Sequence, residues 1–455
     1  MSNISRAIET QKPVIMTSVP GPQSRVLWEQ DKKTIGPGLQ AVVLWSELAF
    51  ARGSGPFVED VDGNVYVDFM GGSGVNNVGH SHPHFVKRVT EQVSQLMIGG
   101  FASQSRVEML SLFKKILPPQ LDRIQFYSGG TESVEAALRL AKSYTGKQEF
   151  LSFWNGYHGK SLGALALTDG AKKGYGPSVA GTLSAPYADC YRCAFKLKPE
   201  TCKFACADHV AEVIKHESTG SLAAIIVEPI QGRMGNITPP KGFLTRLKQI
   251  AVDHGALLIV DETMSSIART GRMFDFMHED VVPDIVIFGK GMSGGYPVTG
   301  IVSTSEIMEK GPFAEPSASS SSFGAFPAAC AALQSTIEII LDEKLCEKSE
   351  QLGGELLLML EKMAREVPMV GAVRGRGLML GLEIVEDKRT MRPASKAVLK
   401  QVFQKLLQNG ILVMMGGNSV RLYPALTIEP AVARNAVSIM HDVLTQLSRE
   451  LGISN

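Results

Sequence analysis

Lys290 stands between Gly289 and Gly291, directly after the apolar run Ile285–Phe288. Small neighbours leave room for a bulky adduct, and a partly desolvated lysine amine can form a Schiff base with an aldehyde; the plainer alternative is a solvated surface charge. Asp261 follows the run Ala256–Val260 and precedes Glu262. A carboxylate at the mouth of a buried strand is costly unless it meets a cation or strong donors, which a ligand or a structural arginine would supply. Gly129-Gly130-Thr131 sits between a strand and a helix pattern. Glycines and free helix N–H groups there make a phosphate site, or else a plain turn capped by Thr131. Tyr157-His158-Gly159 offers a ring to stack on a planar ligand or to pack in the core. Arg421, inside Val420–Pro424, needs an anionic partner, either a protein or a substrate carboxylate.

The elements that must position these groups follow from hydrophobic periodicity. Ile124–Tyr127, Phe150–Phe153, Ala223–Val227, Ala256–Val260 and Ile285–Phe288 read as buried strands. Between them Val134, Ala137, Leu138 and Ala141 fall on one face of a helix over Thr131–Tyr144. Leu244, Leu247, Ile250 and Ala251 do the same over Phe243–His254, with Gly255 as its stop. Strand alternating with helix predicts an α/β fold with a mostly parallel sheet flanked by helices. Ligands of such sheets bind beyond the carboxyl ends of the strands, and these candidates, Arg421 included, are expected in one order at that edge of one sheet. Pro312–Ser322 reads as a loop. Beyond it helices over Pro327–Leu345 and Glu350–Val367, with strands Leu378–Glu383, Ile411–Met414 and Val420–Tyr423, form a smaller α+β domain. We expect an N-terminal arm and part of the small domain over residues 1–65, a large ligand-binding domain over 66–325 and the C-terminal small domain over 326–455.

Composition bounds the class. Of 455 residues 44% are hydrophobic and 20% charged, and the net charge is +1, so nothing draws the chain to nucleic acid or an anionic membrane. No apolar run approaches the ~20 residues that span a bilayer. Met1–Pro20 carries Arg6, Glu9 and Lys12 and does not read as a signal peptide. Six cysteines make no disulfide scaffold, and a cytoplasmic location is expected. Cys190, Cys193, Cys202 and Cys206 have a spacing tolerable for zinc; reduced structural thiols, with no metal, are the expectation.

The same residues lie in stretches that resemble the class III aminotransferases, pyridoxal-phosphate enzymes of fold type I. The resemblance runs through Asp60–Asp68, Gly79–Pro83, Ser128–Glu135, Gly156–Gly159, Val227–Gly232, Val260–Glu262, Ala268–Gly271, Pro283–Ile285, Gly289-Lys290, Ser322–Gly324, Val373–Met379 and Arg421, in order along nearly the whole chain. It implies pyridoxal 5'-phosphate as cofactor, held by Lys290 through a Schiff base, with Lys290 also moving the catalytic proton. It implies Asp261 as partner of the protonated pyridine nitrogen, and Gly130 and Thr131 as phosphate donors. Tyr157 and Thr263 would lie on the two ring faces, with His158 and Glu228 completing the cofactor site. Ser322 stands where relatives usually carry a threonine that reaches the phosphate across a homodimer interface, and Arg421 matches an arginine for a substrate carboxylate.

The implied reaction is ping-pong transfer of an amino group between small-molecule amine or amino acid donors and keto acid or aldehyde acceptors. An amino-acid racemase or epimerase, or a decarboxylase, on the same scaffold is the nearest alternative. A non-catalytic cofactor- or metal-binding scaffold is the alternative of another class, against which the presence of both Lys290 and Asp261 argues. Three positions depart from the pattern. Ser266 stands where relatives often carry a glycine after the Asp-Glu pair. Met264 stands where some relatives carry glutamine. Arg233 follows Gln231-Gly232 where some carry an acid, and it is expected to be solvated rather than to recruit an acidic substrate.

Overall fold

The apolar runs become strands of one seven-stranded sheet in the computed structural model, which describes residues 2–454. The strands are β1 (Arg123–Tyr127), β2 (Glu149–Phe153), β3 (Thr182–Ala185), β4 (Leu222–Val227), β5 (Leu257–Asp261), β6 (Ile285–Phe288) and β7 (Thr299–Ser303). Their order across the sheet is β1-β7-β6-β5-β4-β2-β3. β7 runs antiparallel between β1 and β6, and all other strands point the same way. Periodicity missed β3 and β7 because neither is a continuous apolar run. Thr-Leu-Ser-Ala closes one edge of the sheet, and Thr-Gly-Ile-Val-Ser is interrupted by a glycine.

Around the sheet lie helices α1 (Gln104–Lys115), α2 (Gly130–Thr145), α3 (Ala205–Glu217), α4 (Phe243–Asp253) and α5 (Pro327–Asp342). The expected stripe of α2 is buried: Val134, Ala137, Leu138 and Ala141 join Ile226, Ile259, Ile287 and Ile301 in one core cluster. Each fully buried Ile or Leu there is worth about 1.5–3 kcal/mol, which fixes the helix on the sheet and so fixes where its N-terminus points. Helix α4 stops at Gly255, whose φ of +56° turns the chain while Ala256 N–H donates to Ala251 O at 2.8 Å. Two residues later β5 begins, so the chain enters that strand in a set register.

Sheet and helices belong to a unit of residues 84–233 and 237–346; residues up to 83, 234–236 and from 347 onward make the second. The second boundary falls later than the change of pattern at 325/326, because α5 is buried almost all round and packs on α1. The first falls at 83/84 rather than 65/66.

The second unit has a four-stranded sheet of 50–54, 57–60, 65–68 and 411–412, in which Ile411 pairs parallel with Val67. Its other sheet orders 370–376, 379–387, 419–422 and 414–416. The turn before Val65–Asp68 is held by Asp60, whose Oδ1 accepts N–H from Asp62 and Asn64 at 3.0 and 2.9 Å. Among the described residues no helix is long and apolar enough to cross a membrane.

Candidate active site

At the carboxyl ends of the parallel strands stand, in spatial order, Gly129-Gly130 after β1, Lys290 after β6, Asp261 at the end of β5, Glu228 after β4 and Tyr157-His158 after β2. Asp261 is the last residue of β5 rather than the one after it, and pairs in register with Ile287, three residues before Lys290.

Asp261 is buried and held from two sides. Its Oδ2 meets His158 Nδ1 at 2.8 Å, and its Oδ1 accepts Thr263 N–H at 3.1 Å and Thr263 Oγ1–H at 2.5 Å. Burial by itself raises the carboxyl, but the His158 hydrogen bond and charge together with the Thr263 donors outweigh it and hold Asp261 below the usual carboxylate range. His158 moves the opposite way: burial lowers it, but the hydrogen bond to Asp261, with the charges of Asp261 and Glu228, raises it further than burial depresses it. A carboxylate can accept about four hydrogen bonds; these three leave Asp261 able to accept one more, which suits a protonated heterocyclic nitrogen.

The Asp-Glu pair divides its work. Glu262 turns inward, with its carboxylate accepting Phe276 N–H at 2.8 Å and the Ser265 hydroxyl, and burial with facing Asp275 drives its pKa upward. It is a structural group.

Glu228, which the resemblance implies as part of the cofactor site, has its carboxylate on the backbone beside that site. Oε2 accepts Tyr157 N–H at 2.8 Å and Oε1 accepts Gly232 N–H at 3.3 Å. Burial pushes Glu228 up to about 7, with His158 opposing and Asp261 adding to the rise.

The phosphate candidate is the N-terminus of α2. The helix is capped by Gly129, not Thr131. Thr131 Oγ1 pairs with Ser161 Oγ at 2.8 Å and accepts Ser161 N–H at 3.2 Å. The N–H groups of Gly130 and Thr131 have no acceptor one turn earlier in the helix. A Cβ on Gly129 or Gly130 would meet nothing nearer than Glu132 Cβ at 4.0 Å or Thr263 Cγ2 at 3.9 Å. The cradle is therefore roomy, and its glycines leave the backbone open to a bulky anion.

Thr299, absent from the sequence reading, braces this turn: its hydroxyl donates to Gly129 O at 3.0 Å and accepts from Ser133 Oγ at 2.8 Å. Nothing in a lone strand threonine could have signalled that role.

Lys290 opens a 3₁₀ turn with φ of +46°, and its Nζ lies 2.5 Å from Met264 Sδ. The left-handed backbone at a non-glycine residue aims one particular side chain at the strand ends. Thr263 lies between the groups: a Cβ on Gly289 would be 3.4 Å from its Cγ2, matching the 3.9 Å from Gly130.

The strand ends do not include Ser322, which lies exposed in the turn before α5, its carbonyl 2.6 Å from the position a Gly99 Cβ would take. Arg421 belongs to the other unit. There its buried guanidinium donates to Met415 O at 2.9 Å and to Tyr423 Oη at 3.4 Å. Arg233 is not the solvated side chain expected. It is half-buried, with Cζ 5.3 Å from the Tyr157 ring centroid and Nη1 donating to Asp169 O at 3.1 Å. Cys190, Cys193, Cys202 and Cys206 line a cavity of about 170 Å3 as free thiols. Burial raises Cys190 and takes Cys206 up to about 11, which keeps both protonated at neutral pH. Among the described residues no group of three or more His, Cys, Asp and Glu side chains is placed to hold a metal ion.

The family model for aminotransferase class-III matches residues 42–444. Alanine/serine racemase of Pyrococcus horikoshii is 32% identical over 445 residues, 94% of this chain and 92% of its own. Acetylornithine aminotransferase of Methanopyrus kandleri is 37% identical over 346 residues, 75% of this chain and 82% of its own. A thermostable (S)-enantioselective omega-transaminase from Thermomicrobium roseum, a solved structure, superimposes with a TM-score of 0.87 at 29% identity, covering 93% of this chain and 98% of that one. With the family match running through every strand end just described, the chain belongs to the class III aminotransferases, pyridoxal-phosphate-dependent transaminases of fold type I.

Proposed function

We propose that Lys290, Asp261 and the N-terminus of α2 are the working centre of this transaminase. The observation that carries the reading is Asp261, a buried carboxylate held ionised by His158 and Thr263 one strand away from Lys290. Pyridoxal phosphate bound there supplies an aldehyde for amine exchange and a pyridinium ring that takes up an electron pair. Asp261 keeps the proton on the ring nitrogen. The N–H groups of Gly130 and Thr131 donate to the phosphate, and Tyr157 and Thr263 lie against the two ring faces. Lys290 Nζ would hold the group and, as a free amine, would take and return the proton at the substrate carbon that bears the amine. His158 acts on Asp261, and Glu228 holds the backbone that carries Tyr157.

A homodimer suits the apolar surface near Ser322: Phe101 and Phe323 are 69% and 65% exposed, with Met97 and Ile98 also uncovered. In that dimer Ser322 donates its hydroxyl to the phosphate of the partner's site. Arg421 takes a substrate carboxylate. Six free cysteines suit a reducing cytoplasm.

The test is a visible absorption scan of the protein loaded with cofactor, repeated with single amine donors and no acceptor. A band that bleaches with a donor and returns with a keto acid is the expected result. Likeness to the alanine/serine racemase over 94% of the chain supports a second reading; a band that persists while an amino acid loses optical purity would establish it. Lys290→Ala is expected to abolish both turnover and the lysine-linked band. Full activity in that variant would overturn the assignment.

A further inference from the structure

The turn between β2 and His158 is fastened at nearly every backbone group. Gln231 Nε2 donates to Trp154 O at 2.8 Å, and Asp169 Oδ2 accepts Asn155 N–H at 2.9 Å. Asp169 N–H donates to Gly156 O at 2.9 Å, and Glu228 Oε2 accepts Tyr157 N–H at 2.8 Å. These bonds fix the tyrosine's backbone but leave its ring two torsions of freedom. Tyr157 is half-buried, and among the described residues its hydroxyl has no protein partner. Against one face of the ring lies the Arg233 guanidinium, 5.3 Å from the centroid. The arginine is tethered through Nη1 to the carbonyl of Asp169, the residue that holds the turn.

We infer that Arg233 is a positioning residue: tethered to Asp169 O and stacked on Tyr157, it fixes the plane of the ring that covers the cofactor. The inference rests on the proposed role of Tyr157. A cation over one aromatic face is attracted to the ring's π density and leaves the opposite face to a planar ligand. A guanidinium suits the task better than an ammonium because its flat fork can stack and hydrogen-bond at once. In the strap Glu228–Arg233 three side chains thus serve one turn: Gln231 and Glu228 its backbone, Arg233 its ring.

The experiment measures pyridoxal phosphate affinity on apoprotein by equilibrium dialysis. It compares the wild type with Arg233→Gln, Arg233→Lys, Tyr157→Leu, Tyr157→Phe and the combinations with Arg233→Gln. Arg233→Gln is expected to weaken cofactor binding on the order of 10-fold, the scale of a partly desolvated cation–π contact, and Arg233→Lys to recover part of the loss. Because Arg233 acts through the ring, Arg233→Gln should cost nothing further in the Tyr157→Leu background and its full amount in Tyr157→Phe, which keeps the ring. Thermal unfolding of the apoproteins checks that each variant folds. An equal loss in the Tyr157→Leu background overturns the inference, as does unchanged cofactor affinity with a KM raised only for dicarboxylic acceptors. A wild type that takes up cofactor normally while Arg233→Gln matches it defeats the inference alone. A wild type that gains no coloured band defeats the site reading on which it rests.

Discussion

Asp261 and Glu228 are both buried at strand ends, yet their surroundings move them in opposite directions. Asp261 receives an imidazole and two donors from Thr263; Glu228 receives two backbone N–H groups and a neighbouring negative charge. Asp261→Asn removes the charge that holds a proton on the cofactor nitrogen. We expect turnover to fall on the order of 1,000-fold, the scale seen when a charge-stabilising group is lost; steady-state kinetics at saturating cofactor check it. Glu228 gives a signature in pH. In the unfolded chain it releases its proton in the ordinary glutamate range and in the folded protein at about 7, so the folded state binds more protons between these values. Its contribution to stability is complete at low pH and is lost as pH rises through about 7. Urea midpoints of the apoprotein from about pH 5 to about pH 8 should fall in this window, and the fall should flatten in Glu228→Gln. The sequence pointed to Asp261, Lys290 and Tyr157 because strand ends and flanking glycines are local signals. The pairing of His158 with Asp261 spans 103 positions and has no local signal.

At the scale of elements, the phosphate turn depends on a strand that periodicity did not find. Thr299 on β7 ties Gly129 O to Ser133 Oγ, so the antiparallel strand inserted between β1 and β6 sets the start of α2. Thr299→Val keeps the shape and removes both bonds. The expected cost is about 1–3 kcal/mol of stability, read from chemical unfolding, with weaker binding of inorganic phosphate to the apoprotein. Gly159 is the corresponding point after β2. Its φ is +139°, and a Cβ there would come 2.3 Å from Thr131 Oγ1, so Gly159→Ala must displace the Thr131–Ser161 pair. Destabilisation above about 2 kcal/mol with loss of cofactor affinity is expected, and thermal unfolding with a binding titration would measure both.

At the scale of the whole molecule, Phe101 and Phe323 are two large rings left mostly in solvent, the surface that the proposed homodimer would cover. Charging either one, as in Phe101→Asp or Phe323→Asp, should convert a dimer seen by light scattering to monomer at micromolar concentration and remove activity with it. A wild-type monomer that is fully active would exclude shared sites and the role given to Ser322.

The alternation of strand and helix, the stripe by which α2 seats on the sheet, and the strand-end positions of Gly130, Tyr157, Asp261 and Lys290 are all legible in the order of residue types. All of these follow from side-chain period and from which residues flank an apolar run, quantities local to a few turns of chain. What each buried charge faces emerges only when the chain is folded. Folding gave His158 to Asp261, Glu228 to the backbone of Tyr157, Thr299 to the phosphate turn, and Arg233 to an aromatic face instead of to water. Those choices join residues 71 to 170 positions apart, except for the arginine's tether to Asp169, which spans 64. They depend on the order β1-β7-β6-β5-β4-β2-β3, which local periodicity does not encode.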